Sequence, residues 1–127
     1  MKAMSTETAS LQKRSFNQPD EVRAAGSNGE GRIVGLHGVN FAQVSLQPGW
    51  KWSESVKPIA KTDSCQAAHH GVVVSGRLHT VMNDGTQEEL GAGDIYYIAP
   101  GHDAWVVGNE AYVAVDIVAD DKWAKPA

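Results

Sequence analysis

Cysteine is nearly missing from this chain of 127 residues, with Cys65 the only one. No internal disulfide can form, which fits a reducing compartment and leaves a thiol for metal or redox chemistry. Long apolar runs are missing too. No stretch approaches the roughly 20 apolar residues of a membrane span, and the N-terminus, MKAMSTETAS, lacks the apolar core of a signal peptide. A cytoplasmic protein with no membrane partner is the expectation. Eleven Lys and Arg against fifteen Asp and Glu leave a net charge of −4. The basic residues are scattered, so no footprint for nucleic acid is present. Repeats and low-complexity tracts are absent. No segment sustains a 3.6-residue apolar period, so helix is expected only as single turns at 19–25 and 120–125.

What the chain does contain is a rhythm of strands and turns. Short apolar stretches recur from Arg32 onward: RIVGLHG, NFAQVSL, PGWKW, HHGVVVSG, RLHTVM, DIYYIA, AWVVG and AYVAVDIV. Val, Ile and Tyr dominate them, and Gly, Asn, Asp and Pro fill the gaps, the pattern of strands joined by tight turns. Asn83-Asp84-Gly85-Thr86 reads as a hairpin turn, since Asp-Gly supplies the positive φ angles such turns need. Gly91-Ala92-Gly93-Asp94 and Gly108-Asn109-Glu110 read as further turns. Eight or more short strands can bury their apolar faces only by closing on themselves or packing as two sheets. The length supports one core and not two. The expected organisation is a flexible arm over residues 1–15, polar and without periodicity, and one β-barrel domain over 16–127.

Chemistry-bearing side chains gather in two places. The first is Thr62-Asp63-Ser64-Cys65-Gln66-Ala67-Ala68-His69-His70. In an extended stretch Asp63, Cys65 and His69 share one face and His70 takes the other. The second is Pro100-Gly101-His102-Asp103-Ala104-Trp105, where a histidine follows a Pro-Gly turn at the mouth of an apolar strand. His102 could face the first cluster across a barrel. Asp63 is open between three roles: a fourth ligand, a partner orienting an imidazole, and a turn residue bonding its own backbone. His37 and His79 read as structural. Trp50, Trp52, Tyr97 and Trp105 are core residues by default and candidates for lining a pocket. Glu54, beside Trp52, is the nearest acidic candidate for a general base.

Over roughly residues 40–118 the chain resembles the cupin superfamily. Gly93-Asp94-Ile95-Tyr96-Tyr97-Ile98-Ala99-Pro100-Gly101 is similar to the first half of the second cupin motif, a Gly-Asp followed by a Pro-Gly turn and a His. In the first motif, two His and a Glu precede a Gly; aligned on Gly76, His69 stands in the Glu position, Cys65 in that of the second His and Asp63 in that of the first. The second-motif His would fall at Ala104, and this chain offers His102, two residues earlier on the same strand face. The run PGWKWSESVKP with TDSCQ and PGHDAW looks like a subgroup of small stand-alone cupins of unassigned function. The resemblance implies an all-β, double-stranded β-helix (jelly-roll) barrel with Cys65, His69 and His102 as metal ligands.

One thiolate and two imidazoles suit zinc, iron, nickel or copper and not calcium or magnesium, and zinc is the first choice. Three protein ligands leave a coordination position open, as in catalytic zinc sites. Two functions follow as expectations. One is a metal-dependent enzyme (oxygenase, isomerase, lyase or hydrolase) acting on a small polar organic molecule. The other is a non-catalytic module that binds a small ligand or senses metal. An exposed sheet edge and outer apolar face lead us to expect a homodimer.

Overall fold

The computed structural model describes residues 10–117 together with Trp123 and Ala124. Among these residues nine strands and two single-turn helices follow in chain order: β1 (Glu21–Ala24), β2 (Gly29–Leu36), β3 (Val39–Leu46), α1 (Trp52–Ser55), α2 (Lys57–Ala60), β4 (His69–Ser75), β5 (Arg77–Met82), β6 (Gln87–Gly91), β7 (Ile95–Ile98), β8 (His102–Val107) and β9 (Tyr112–Ile117). They form two antiparallel sheets, ordered β1-β2-β3-β9-β4-β7 and β6-β5-β8. The all-β, double-stranded β-helix expectation therefore holds.

Alternation decides what each strand contributes to the core. In β9, Tyr112, Ala114 and Asp116 point inward, and in β8 His102, Ala104 and Val106 do the same. The core between the sheets is built from Val44, Leu46, Trp50, Trp52, Val73, Leu78 and their neighbours. The outer face of the larger sheet carries an apolar patch as well. Ile95 and Tyr97 on β7 are 83% and 62% exposed, Val74 on β4 is 56% exposed, and Ile117 on β9 is exposed beside them. Among the described residues β7 is an edge strand, with one side of its backbone unpaired within the sheet.

Several local expectations are corrected. The turn of helix expected at 19–25 is strand β1, because the backbone groups along the edge of β2 need partners and β1 supplies them, Glu21 opposite Ile33 through Ala24 opposite Glu30. PGWKW is not a strand. Only Lys51 makes a β-bridge, to Trp105, before the chain coils into α1 and α2. Each helix is a single turn, too short to show a period. Strand β6, QEELG, escaped notice because Leu90 alone of its residues is buried. Residues 1–9 and most of 120–125 lie outside the described residues, and Trp123 and Ala124 form a turn. The arm expected as far as residue 15 is already tied down at Arg14, which donates to the Gly35 carbonyl at 2.9 Å and pairs with Asp20 at 3.0 Å.

Two turns carry the tightest backbone demands. His37-Gly38 joins β2 to β3 with φ of 48° and 82°, positive at both residues as a type I′ hairpin requires. The structural role expected of His37 is this one. Gly76, at φ 76°, links β4 to β5, and a Cβ there would overlap the backbone of Ala111 and Tyr112. At Gly38 no described residue lies within 4 Å of an added Cβ. Gly38→Ala should therefore cost about 1 kcal/mol, the left-handed penalty alone. Gly76→Ala adds a collision with main chain and should cost about 3 kcal/mol or more. Urea denaturation of both variants checks this, and equal losses would overturn the steric account.

Candidate metal centre

Backbone pairing brings the two chemical clusters together. Cys65 and His102 form an isolated antiparallel bridge in which Cys65 N–H donates to the His102 carbonyl at 2.7 Å and His102 N–H returns to the Cys65 carbonyl at 3.3 Å. Gly101, at φ 93°, turns the chain so that its own N–H also reaches the Cys65 carbonyl. Ser64 is buried, and its hydroxyl accepts from Asn83 and Gln66, which pins the loop that carries Cys65. His69 begins β4 and His102 begins β8, so the two sheets meet at these residues.

Cys65, His69 and His102 are all buried, and each offers one donor atom such that the three atoms lie within 4.8 Å of one another. Cys65 Sγ is 4.0 Å from His69 Nε2. The other ring nitrogen of each histidine is already committed. His69 Nδ1–H donates to Asp116 Oδ2 at 2.7 Å, and His102 Nδ1–H donates to the Ala99 carbonyl at 2.8 Å. Both acceptors demand a proton on Nδ1, so each neutral ring keeps its Nε2 lone pair for an ion.

Asp116 is the functional residue that the sequence reading missed. It sits on β9 facing inward, accepts from His69 at one oxygen and from the Tyr96 hydroxyl at the other. Gly71 makes this possible. It pairs with Tyr96 on one side and Asp116 on the other, and a Cβ at Gly71 would lie 2.6 Å from the Tyr96 hydroxyl oxygen. The missing side chain lets Tyr96 reach across β4 to Asp116. An acidic residue in the inward set of an apolar strand, Tyr112-Ala114-Asp116, was the available signal.

The electrostatics follow from burial and these contacts. Burial alone would raise the Cys65 thiol, but hydrogen bonds from His102 and His69 outweigh it and hold the group at about 6, below its ordinary 9.0. Burial opposes a charge on His69, yet the bonds to Asp116 and to Cys65 raise it to about 10 from 6.5. Burial, with the Asp116 charge, drives the Tyr96 hydroxyl far upward, so it stays a donor.

A cavity of about 40 Å³ adjoins the donors, lined among others by Leu46, Trp50, Trp52, Tyr96, Tyr112 and Trp123. Trp50 and Trp52 thus stand where a pocket was expected. Tyr97 and Trp105 do not line this cavity: Tyr97 packs on His70 outside the barrel, with ring centroids 4.8 Å apart, and borders a separate outer groove with Thr80, Met82 and Ile95, and Trp105 stacks on His79 at 4.7 Å with Lys51 over its ring. Alternation explains both, because inward Tyr96 and inward His102 force Tyr97 and Trp105 outward. His70 is exposed on the opposite face from His69, as expected. Glu54 and Asp63 are exposed and outside the cavity lining. The chain between Lys61, which is left-handed at φ 60°, and Cys65 is bent rather than extended, so the alternation that put Asp63 beside Cys65 does not apply. The imidazole-orienting carboxylate is Asp116, not Asp63.

The donor chemistry fits a borderline transition metal. Zinc–sulfur and zinc–nitrogen bonds of about 2.3 and 2.0 Å place tetrahedral donors about 3.5 Å apart, so small side-chain rotations bring this set to bonding separation.

No protein-family model and no curated protein matches the sequence. Solved structures do match the fold. An RmlC-like cupin from Shewanella frigidimarina is similar at 17% identity, with a TM-score of 0.57 over 90% of this chain and 96% of that one. A Klebsiella pneumoniae protein with a double-stranded β-helix domain gives 22% identity and 0.56 over 87% and 90%. A variant of oxalate decarboxylase from B. subtilis gives 19% identity and 0.60 over 89% of this chain but only 30% of that larger one. The fold is that of the cupins.

The two shifts predict a pH profile for metal-free protein. The depressed Cys65 contributes stability that is present above its unfolded value near 9.0 and lost as pH falls through about 6. The raised His69 contributes stability that is complete below its unfolded value near 6.5 and lost as pH rises through about 10. Between 6.5 and 9.0 folded and unfolded chains each hold one proton on this pair, so stability is flat there. The difference in urea midpoint between wild type and Cys65→Ala/His69→Ala, both chelator-treated, should be flat in that window and shrink on either side. A difference that rises steadily across the window would show that thiolate and imidazolium are not paired.

Proposed function

We propose that this protein holds one divalent transition metal, zinc in the first instance, through Cys65, His69 and His102, and acts as a metal-dependent enzyme on a small molecule. The observation that supports this reading is the commitment of both Nδ1 atoms, which leaves two Nε2 lone pairs and one thiolate converging beside a cavity. An ion bound there supplies Lewis acidity. The chain supplies the rest. Asp116 holds the Nδ1 proton of His69 in place, Tyr96 holds Asp116, and Trp50, Trp52 and Leu46 wall the cavity with apolar surface that weakens competition from water. The non-catalytic binding module is the competing reading, and turnover decides between them.

Elemental analysis of tag-free protein should find about one equivalent of metal per chain. Cys65→Ala, His69→Ala and His102→Ala should each lose most of it. His70→Ala, His79→Ala and Asp63→Ala should retain it, since those side chains lie outside the cluster. Asp116→Asn should weaken affinity by about 10- to 100-fold, the usual loss when an orienting partner goes. Full occupancy in His102→Ala, or a chain that stays empty after dialysis against zinc, iron and nickel, would overturn the site.

We further propose that the chain forms a homodimer through the outer face of β7, β4 and β9. Exposed Ile95, Tyr97, Val74 and Ile117 on neighbouring strands, beside a free edge, support it. Sedimentation at micromolar concentration should report twice the 13.6 kDa chain mass. Ile95→Glu should shift the protein to monomer with its metal retained. A wild-type monomer at that concentration would refute the interface.

A further inference from the structure

We infer that the ligand admitted to this centre is a small, uncharged and mainly apolar molecule of about three non-hydrogen atoms, in place of the polar organic substrate expected from the sequence. The inference rests on the metal reading above and concerns the same site.

Size comes first. The cavity measures about 40 Å³, and a water needs about 10–15 Å³ on this measure, so the space holds about three water-sized groups. Aromatic and aliphatic side chains set that limit. Trp50 and Trp52 are buried, and Trp50 is held by its indole N–H, which donates to the Ala25 carbonyl at 2.9 Å. Trp123 packs against Gly31, and its carbonyl accepts from buried Arg23.

Charge comes second. The Cys65 thiolate and the Asp116 carboxylate together carry the two negative charges that balance a divalent ion, while neutral His69 and His102 add none. An anionic ligand would bring an uncompensated charge into a low-dielectric chamber, which is costly. No Lys or Arg stands among the described lining residues to offset it.

Polarity comes third. Asp116 has an oxygen engaged by His69 and the other by Tyr96, and Tyr96 spends its proton on Asp116. The Nδ1 protons of both histidines are used as well. Asp116, Tyr96 and both Nδ1 atoms are thus already engaged, and most of the remaining wall is aromatic and aliphatic, so shape and an apolar surface dominate selection.

Cobalt(II)-loaded protein tests this by visible absorption, without any assay of turnover. Methyl isocyanide and azide are both linear with three non-hydrogen atoms, but only azide is charged; tert-butyl isocyanide keeps the neutral donor and adds bulk. Methyl isocyanide should perturb the cobalt bands with an affinity roughly tenfold or more above that of either competitor. Trp123→Ala, which enlarges the chamber, should raise the affinity for tert-butyl isocyanide by about tenfold while leaving azide weak. Leu46→Ala serves the same purpose from β3. Azide binding as tightly as methyl isocyanide would overturn the charge argument, and tert-butyl isocyanide binding equally well to wild type would overturn the size limit. Failure to take up cobalt at all would refute the metal reading itself, a result distinct from either.

Discussion

The buried carboxylate of Asp116 constrains more of this structure than any other single group. A charge at that depth is tolerable only when it is paired and hydrogen-bonded. Here His69 satisfies one oxygen and Tyr96 the other. These three residues come from β9, β4 and β7, which are adjacent in the larger sheet, so the pairing order is a condition of the site. Gly71 is part of the same requirement, since any side chain at that point would occupy the path of the Tyr96 hydroxyl. His69 gains from this both a tautomer and an orientation, and its Nε2 is thereby turned to the cavity.

The second organising contact is backbone. The Cys65–His102 bridge joins the loop that leads into β4 of the larger sheet to the first residue of a strand in the smaller one. A thiol and an imidazole that are 37 positions apart in the chain become neighbours without either side chain having to reach. Two histidines beside a buried thiol then do what burial alone would prevent, and hold it as a thiolate near neutral pH. A preformed thiolate and two oriented imidazoles would lower the cost of assembling a metal centre, because the donors are already ordered and only His69 must give up a proton when an ion arrives.

The molecule also shows two kinds of apolar surface with different consequences. The inner kind, on Trp50, Trp52 and Leu46, is covered by the fold and shapes a chamber. The outer kind, on Ile95, Tyr97 and Val74, is uncovered in a single chain. Period-two alternation generates both from the same strands, so Tyr96 faces the candidate metal centre while Tyr97, its neighbour, faces the exterior.

Strand and turn chemistry was legible in the sequence because it is local. Gly, Asn and Asp mark the turns, β-branched and aromatic residues mark the strands, and eight of them in one chain leave few ways to bury a core. The candidacy of Cys65, His69 and His102 was legible too, from residue type and from the spacing around Gly76 and the Pro100-Gly101 turn. Strand β1 was not, because its conformation comes from the edge of β2 rather than from its own residues. Neither was Asp116, whose role exists only where β9, β4 and β7 lie side by side. Asp63 is the converse case, sequence neighbour to the ligands yet turned to solvent by a bend at Lys61. Residue types and turns are properties of short segments, so the sequence determined the fold class and the candidate donor set. Which carboxylate orients the imidazole and how large a chamber remains depend on strands far apart in the chain, and only the tertiary structure could decide them.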